Sequence, residues 1–256
     1  MALSVPSAPL KGLSREQSGN AFERPLSDEA PKSLAIFCDF DGTITRTDLT
    51  DAVLAAFALP SYKEWEERWQ TGEIGSQECL SRQVELIQAD HAELLHFARS
   101  FPIDEGIFEL DQRCTQNGVP LVILSDGVDL FIKTVLHHHN LSHIPVFSNQ
   151  LKRGRFATLS LTFPYAREDC TVAAGTCKCA LAIPSPQPER IIAYIGDGRS
   201  DCCVATKAHK VFAKGILHTW CQQHNIACER FETLTEVAQC LFLETANKKG
   251  RYAVFP

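Results

Sequence analysis

Three short apolar runs, each closed by a cluster of acidic and small polar residues, limit what this 256-residue chain can become. Leu34-Ala-Ile-Phe-Cys runs into Asp39-Phe-Asp41-Gly-Thr43, and Pro120-Leu-Val-Ile-Leu into Ser125-Asp126-Gly127. Arg190-Ile-Ile-Ala-Tyr-Ile runs into Gly196-Asp197-Gly-Arg-Ser-Asp201. Unbroken apolar runs of this length read as strands covered on both faces, the habit of parallel sheets. Ile144–Phe147 and Lys210–Lys214 read the same way. Phe156–Phe163 alternates behind Lys152-Arg153-Gly154, as one arm of a small hairpin would.

From about residue 48 to 104 the pattern is helical instead. Segments Leu49–Leu59, Tyr62–Gln70, Ser76–Gln88 and Ala92–Ser100 are separated by Pro60, Gly72, Gly75 and the Ala89-Asp90 pair, with Pro102 after the last. The fold class predicted is α/β: a doubly wound, Rossmann-like parallel sheet with right-handed crossovers, carrying a small all-helical cap after its first strand. Residues 1–33, rich in Ser, Pro and mixed charge, read as a flexible tail. Residues 34–47 and 105–245 form the core, 48–104 the cap, and 246–256 a C-terminal tail.

A net charge of −6 leaves no basic footprint for nucleic acid. No run approaches eighteen apolar residues, so no membrane span is expected. The eleven cysteines are odd in number and scattered from Cys38 to Cys240, and no apolar leader follows a basic start. They read as small hydrophobes of a reduced, cytoplasmic protein. Nothing indicates an oligomer.

In open α/β sheets, ligands bind beyond the carboxyl ends of the strands. The three polar clusters therefore converge. Asp39 and Asp41, two apart, would share a face on extended backbone, and Asp197 and Asp201, four apart, would share one on a helix. Carboxylates gathered this way repel unless a hard divalent cation such as Mg²⁺ joins them. The matching chemistry is phosphoryl transfer, with a carboxylate nucleophile, a second carboxyl to move the proton and cations for the phosphoryl oxygens. Lys178 is a candidate second cation, and Ser125 with its neighbouring amides a candidate donor set. Alone, Asp-x-Asp-Gly or Gly-Asp-Gly is a turn signal. Three such clusters in this order, each closing a buried strand, point past turns to a site.

The run DFDGTIT, then LSDG, Lys178 and GDGRSD, resembles the four motifs of the haloacid dehalogenase superfamily of aspartate-dependent phosphatases, over about residues 34–245. The resemblance implies Asp39 as nucleophile and Asp41 as general acid, then base. It implies Ser125 and Lys178 on the phosphate, with Thr43, Asp126, Gly127 and Ser200 completing the phosphate and substrate set. Mg²⁺ would be held by Asp39, the main-chain carbonyl of Asp41, and Asp197, with Asp201 ligating or orienting. The helical insert corresponds to a C1-type cap. Within that superfamily, Phe147-Ser-Asn149, Gly154-Arg-Phe156 and Cys177-Lys178 are similar to the 2-hydroxy-3-keto-5-methylthiopentenyl-1-phosphate phosphatases of methionine salvage. Where phosphoserine phosphatases place a cap Glu and an Arg, this chain has Asp48 and Gln83, and Ser200 replaces their last-motif Asn. A small phosphorylated metabolite is the implied partner. Phosphoserine, another small phosphoester such as a vitamin phosphate, and a non-catalytic metabolite-binding module stay open as alternatives.

Asp48, Trp65, Trp69 and Gln83 are the candidate specificity residues of the cap, although two tryptophans four apart also suit plain packing. The run His137–His139 with His143 reads as a solvated helix end. Cys177-Lys178-Cys179 with Cys170 lacks the second ligand pair of a zinc site, so a redox-sensitive thiol beside Lys178 is the better reading.

Overall fold

Seven strands make one sheet in the order β4-β3-β2-β1-β5-β6-β7. They are β1 (Ser33–Cys38), β2 (Leu121–Val128), β3 (Val146–Arg153), β4 (Leu159–Thr162), β5 (Arg190–Gly196), β6 (Lys210–Ala213) and β7 (Glu229–Arg230). All neighbours run parallel except β3 and β4, which form the expected antiparallel hairpin at one edge. The computed structural model describes residues 33–154, 158–183 and 190–247. Nearly all of both expected tails, and the beginning of the Phe156 run, lie outside those residues. Ser33 already belongs to β1, and the last helix extends to Asn247.

The period of two explains how β1 is buried on both faces. Leu34, Ile36 and Cys38 enter one apolar cluster, while Ala35 and Phe37 pack into a second, beneath α7 (Lys178–Ala182) and α8 (Cys202–Ala205). β2 differs from expectation. It runs on through Ser125-Asp126-Gly127 to Val128, with a register irregularity between Leu124 and Val128. β7, two exposed residues, presents no apolar run and is invisible in the sequence.

The insert holds α1 (Leu49–Phe57), α2 (Tyr62–Gln70), α3 (Ser76–Glu85) and α4 (His91–Arg99). An antiparallel bridge between Thr45 and Ile103 closes its neck, and the Asp104 amide donates to the Ile44 carbonyl at 2.8 Å. Asp48 caps α1 by accepting from the Asp51 amide, and Asp90 and Glu93 form a capping box on α4. Leu49, Val53, Leu54 and Leu94 join the main apolar cluster, so α1 and α4 are rooted in the core. Only α2 buries no residue at all. After the neck come α5 (Gly106–Gln116), α6 (Asp129–His138), α9 (Gly215–Gln223) and α10 (Leu234–Asn247). No helix of the described residues is long and apolar enough to cross a membrane.

Candidate active site

The strand order reverses at β1, with β2 on one side and β5 on the other, and there the three polar clusters meet. The Asp39 amide extends the β1–β5 ladder by donating to the Ile195 carbonyl at 2.9 Å. One residue past the strand, alternation sends the Asp39 side chain to the face of Ala35 and Phe37, where α7 starts with Lys178. The Lys178 ammonium donates to Asp39 Oδ1 at 2.5 Å and to Asp201 Oδ1 at 2.6 Å. All three residues are buried. Burial alone would lower the Lys178 pKa, but Asp201 and Asp39 more than offset it and keep the ammonium charged.

Asp201 is fully engaged. Its Oδ1 also accepts from the Tyr194 hydroxyl at 2.5 Å, and its Oδ2 accepts from the amides of Asp197 and Gly198 at 3.0 and 2.9 Å. The backbone between them is a short 3-10 turn, Arg199–Asp201, so Asp201 reaches back to the start of its own loop. Asp197 Oδ1 accepts from the Thr43 hydroxyl at 3.1 Å, and that hydroxyl lies 3.5 Å from Asp39 Oδ2. Carboxylate oxygens of Asp39, Asp197 and Asp201 all fall within 4.8 Å of one another. Burial first, then the charges of Asp201 and Asp197 against the pull of Lys178, raises the Asp39 pKa well above the carboxylate range. Three carboxylates around one ammonium fit a divalent cation. With Asp201 saturated by hydrogen bonds, the donors left for it are on Asp39 and Asp197. Gly42 permits the approach: its φ is +73°, and a Cβ there would stand 2.3 Å from Asp197 Oδ2.

Asp41 does not share the partners of Asp39, because the chain turns after the strand. Its Oδ1 accepts from the Leu49 amide at 2.9 Å, at the start of α1, and its Oδ2 from the Ser125 hydroxyl at 3.3 Å. The Ser125 oxygen in turn accepts from the Gly127 amide at 2.9 Å, and a Cβ on Gly127 would stand 2.3 Å from Asp41 Oδ2. Burial raises the Asp41 pKa to about 6, against the Leu49 amide, Lys178 and Ser125.

The other expected site residues have partners of their own. Asp126 is a brace. Its Oδ2 accepts from Ser76 at 2.5 Å, and its Oδ1 from the Thr176 amide and Asn149 at 2.9 and 3.2 Å, so its carboxylate is committed to tying the insert to the core. Thr43 is fully buried, with its hydroxyl between the carboxylates of Asp39 and Asp197. Gln83, expected in the pocket, is 3% exposed inside the insert, donating to Glu66 at 3.1 Å and to the Tyr62 carbonyl at 3.4 Å. Ser200 is half-buried in the 3-10 turn. Asp48 keeps solvent exposure while capping α1. Partial desolvation of the carboxyl, then the charges of Asp41 and Asp51, raises its pKa. Trp65 stacks under Arg68 and Arg82, whereas Trp69 lies under the Arg199 guanidinium at 5.5 Å, a contact from α2 to the loop of Asp197 and Asp201. Of the histidines, His143 pairs with Asp111 at 3.0 Å on the surface.

Tyr194, Ser76 and Thr176 are structural partners of this site that the sequence reading does not name as such, and Asn149 and Arg199 enter it only inside the quoted motifs. Tyr194 carries a signal as the one hydroxyl in an apolar strand.

The family model of haloacid dehalogenase-like hydrolases matches residues 36–206. A 2-hydroxy-3-keto-5-methylthiopentenyl-1-phosphate phosphatase of Bacillus cereus is 30% identical over 210 residues, covering 80% of this chain and 94% of its own. The Bacillus mycoides protein of that name is 29% identical over 208 residues, with the same coverages. Among solved structures, a phosphoserine phosphohydrolase-like protein from Francisella tularensis superposes with a TM-score of 0.59 at 20% identity, over 82% of this chain and 100% of that one. A phosphoserine phosphatase structure of a phospho-aspartyl intermediate analogue gives 0.59 at 17% identity, over 82% and 99%. These two likenesses are of fold.

Proposed function

The chain belongs to the haloacid dehalogenase-like hydrolase family, and from that premise we propose that it is a Mg²⁺-dependent phosphatase working through an aspartyl phosphate on Asp39. It is a phosphoric monoester hydrolase. One observation carries the mechanism: Asp39 and Asp41, two residues apart, are held by separate partners, Lys178 on one and Leu49 with Ser125 on the other. Separate environments let one carboxyl act as nucleophile and the other as acid.

An Asp39 oxygen attacks phosphorus and forms the acyl phosphate, while the bond to the leaving oxygen breaks. Asp41, with a pKa near 6, gives that oxygen its proton. The Asp41 carboxylate then takes a proton from a water that attacks phosphorus, and inorganic phosphate and free Asp39 result. Lys178 offsets phosphoryl charge, and the Ser125 hydroxyl turns from Asp41 to a phosphoryl oxygen. Asp39, Asp197 and the Asp41 carbonyl would hold Mg²⁺, with Asp201 orienting Lys178 and the loop. The ion supplies charge neutralisation when bound.

The insert, residues 48–104, serves as the cap, and Trp69 and Asp48 are its specificity groups in this reading. The proposed substrate is 2-hydroxy-3-keto-5-methylthiopentenyl-1-phosphate, in keeping with the names of the relatives. The specificity groups proposed for the cap, Asp48 and Trp69, include no cation to pair with the carboxylate of phosphoserine, and a carboxylate without a partner ion is disfavoured. A panel of small phosphoesters with Mg²⁺ tests this. The keto phosphoester should exceed phosphoserine by about tenfold in kcat/KM, which needs only ~1.4 kcal/mol of differential binding. Phosphoserine as the best substrate would overturn the assignment, and no turnover of p-nitrophenyl phosphate would overturn the enzyme.

A further inference from the structure

We propose that Cys179 and Cys203 are an oxidative modification site, which closes to a disulfide and so switches off the phosphate-binding lysine; the second half rests on the phosphatase reading above. Cys179 follows Lys178 directly in α7, and Cys203 lies in α8, two residues beyond Asp201. The Cys203 thiol contacts the Cys179 sulfur at 3.1 Å. A third sulfur, Cys177, lies 3.6 Å from Cys179. This is a row of sulfurs and not a cage. Among the described residues, the carboxylates of Asp39, Asp197 and Asp201 are the only group of three such ligands drawn together within 4.8 Å. A row favours pairwise sulfur bonding over a tetrahedral metal.

Exposure sets the order of events. Cys203 is half-buried and can be reached from solvent, whereas Cys179 is buried behind it. With hydrogen peroxide as oxidant, one peroxide oxygen passes to the Cys203 sulfur, leaving a sulfenic acid and one water. The Cys179 sulfur attacks that sulfur, the sulfur–oxygen bond breaks, and the departing hydroxide leaves with the Cys179 proton as a second water. Two thiols lose two electrons and two protons, and one peroxide becomes two waters.

Bond formation brings the sulfurs from 3.1 Å to about 2 Å and fixes the disulfide dihedral, a change that the two side chains and the starts of α7 and α8 share in the proposed switch. α7 begins with Lys178, which meets Asp39 and Asp201 at 2.5 and 2.6 Å, and Asp201 directly precedes α8. A shift of that size at a positioned ammonium is enough to cost activity heavily.

The test treats the full-length, Mg²⁺-loaded protein with hydrogen peroxide. Unreduced digests are mapped by mass spectrometry, and turnover of p-nitrophenyl phosphate is followed before and after dithiothreitol. The expected result is a Cys179–Cys203 cross-link, a loss of roughly tenfold or more, and recovery on reduction. Cys203→Ser should keep its activity through the treatment, and Cys177→Ser should respond like the wild type. Cys203→Ala replaces the serine variant if that one fails to fold. A cross-link mapped to Cys177–Cys179 or Cys170–Cys177, a cross-link without loss of activity, or equal loss in Cys203→Ser overturns the proposal. A protein that hydrolyses nothing overturns the phosphatase reading alone, because the cross-link map still decides the thiol site.

Discussion

The carboxylate centre and the helical insert beside it are built on different terms. In the centre, Asp39, Lys178, Asp201 and Tyr194 are buried, and each hydroxyl, ammonium and carboxylate is fixed by a partner on another element. In the insert, α2 buries nothing, and its tryptophans are half-exposed under arginine guanidinium groups. Buried polar networks are unforgiving, since a lost partner leaves a desolvated charge, whereas exposed contacts exchange for water at little cost. In the proposed function, chemistry therefore belongs to the part that cannot vary, and choice of leaving group to the part that can.

The strongest way to break that contrast is Asp39→Asn. Turnover should fall by thousands-fold, on the order seen when one member of a catalytic unit is lost. In EDTA the variant should melt no lower than the wild type, because its carboxyl is held against burial and like charge. A variant keeping a tenth of wild-type turnover would sink the covalent mechanism.

Next in size is the metal. EDTA should abolish activity, with Mg²⁺ restoring it and Ca²⁺ not, since Ca²⁺ seeks more ligands at longer distances. Mg²⁺ should also raise the melting temperature in proportion to the logarithm of its concentration, and Asp197→Asn should remove that shift. Full activity after exhaustive dialysis against EDTA contradicts this.

The pH dependence separates the two regions more finely. Burial raises Asp41 to about 6. As a general acid it must hold its proton, so kcat/KM for an alkyl phosphoester should fall as pH rises through about 6. For p-nitrophenyl phosphate, whose leaving group needs no proton, that limb should be absent. The stability sign follows from the same shift. A carboxyl raised in the folded state gives stability that is complete below its unfolded value near 3.8 and is lost as pH rises through the folded value. Asp39, Asp126 and Asp197 are shifted the same way. Metal-free protein should accordingly melt several degrees higher at pH 5 than at pH 7.5, and an equal or reversed order argues against these environments.

The insert should give smaller effects. Trp69→Ala removes the Arg199 contact, worth about 1 kcal/mol, and should lower kcat/KM for the preferred substrate by roughly five- to tenfold while sparing p-nitrophenyl phosphate. Equal losses on both substrates would show that α2 supports the centre and does not select. Smallest in activity is Gln83→Arg, which places a charge at a buried position. A lower melting temperature with no gain in phosphoserine turnover is expected, and a gain would restore Gln83 to the pocket.

The two regions also differed in legibility. The strands β1 and β5 and their closing carboxylates could be read directly, because a parallel strand buried on both faces writes an unbroken apolar run and a site needs polar residues where that run stops. Helices of the insert were visible from period and breakers, with α2 matching Tyr62–Gln70 at both ends. What Gln83 and Asp126 do was not visible. Each is a polar residue near a motif, and whether such a side chain meets a substrate or a neighbour depends on elements distant in sequence.

Local chemistry and periodicity thus determined, from the sequence alone, about where β1 and β5 stop and that carboxylates follow there. Tertiary structure decided which carboxyl pairs with which partner. Lys178 meets Asp39 across 139 positions, and Ser76 meets Asp126 across 50. It also decided that Asp201 is filled by hydrogen bonds while Asp197 is left open to a cation, and that Cys179 faces Cys203. Those outcomes depend on how separate elements pack, and side-chain direction in a packed interior is fixed by all neighbours at once.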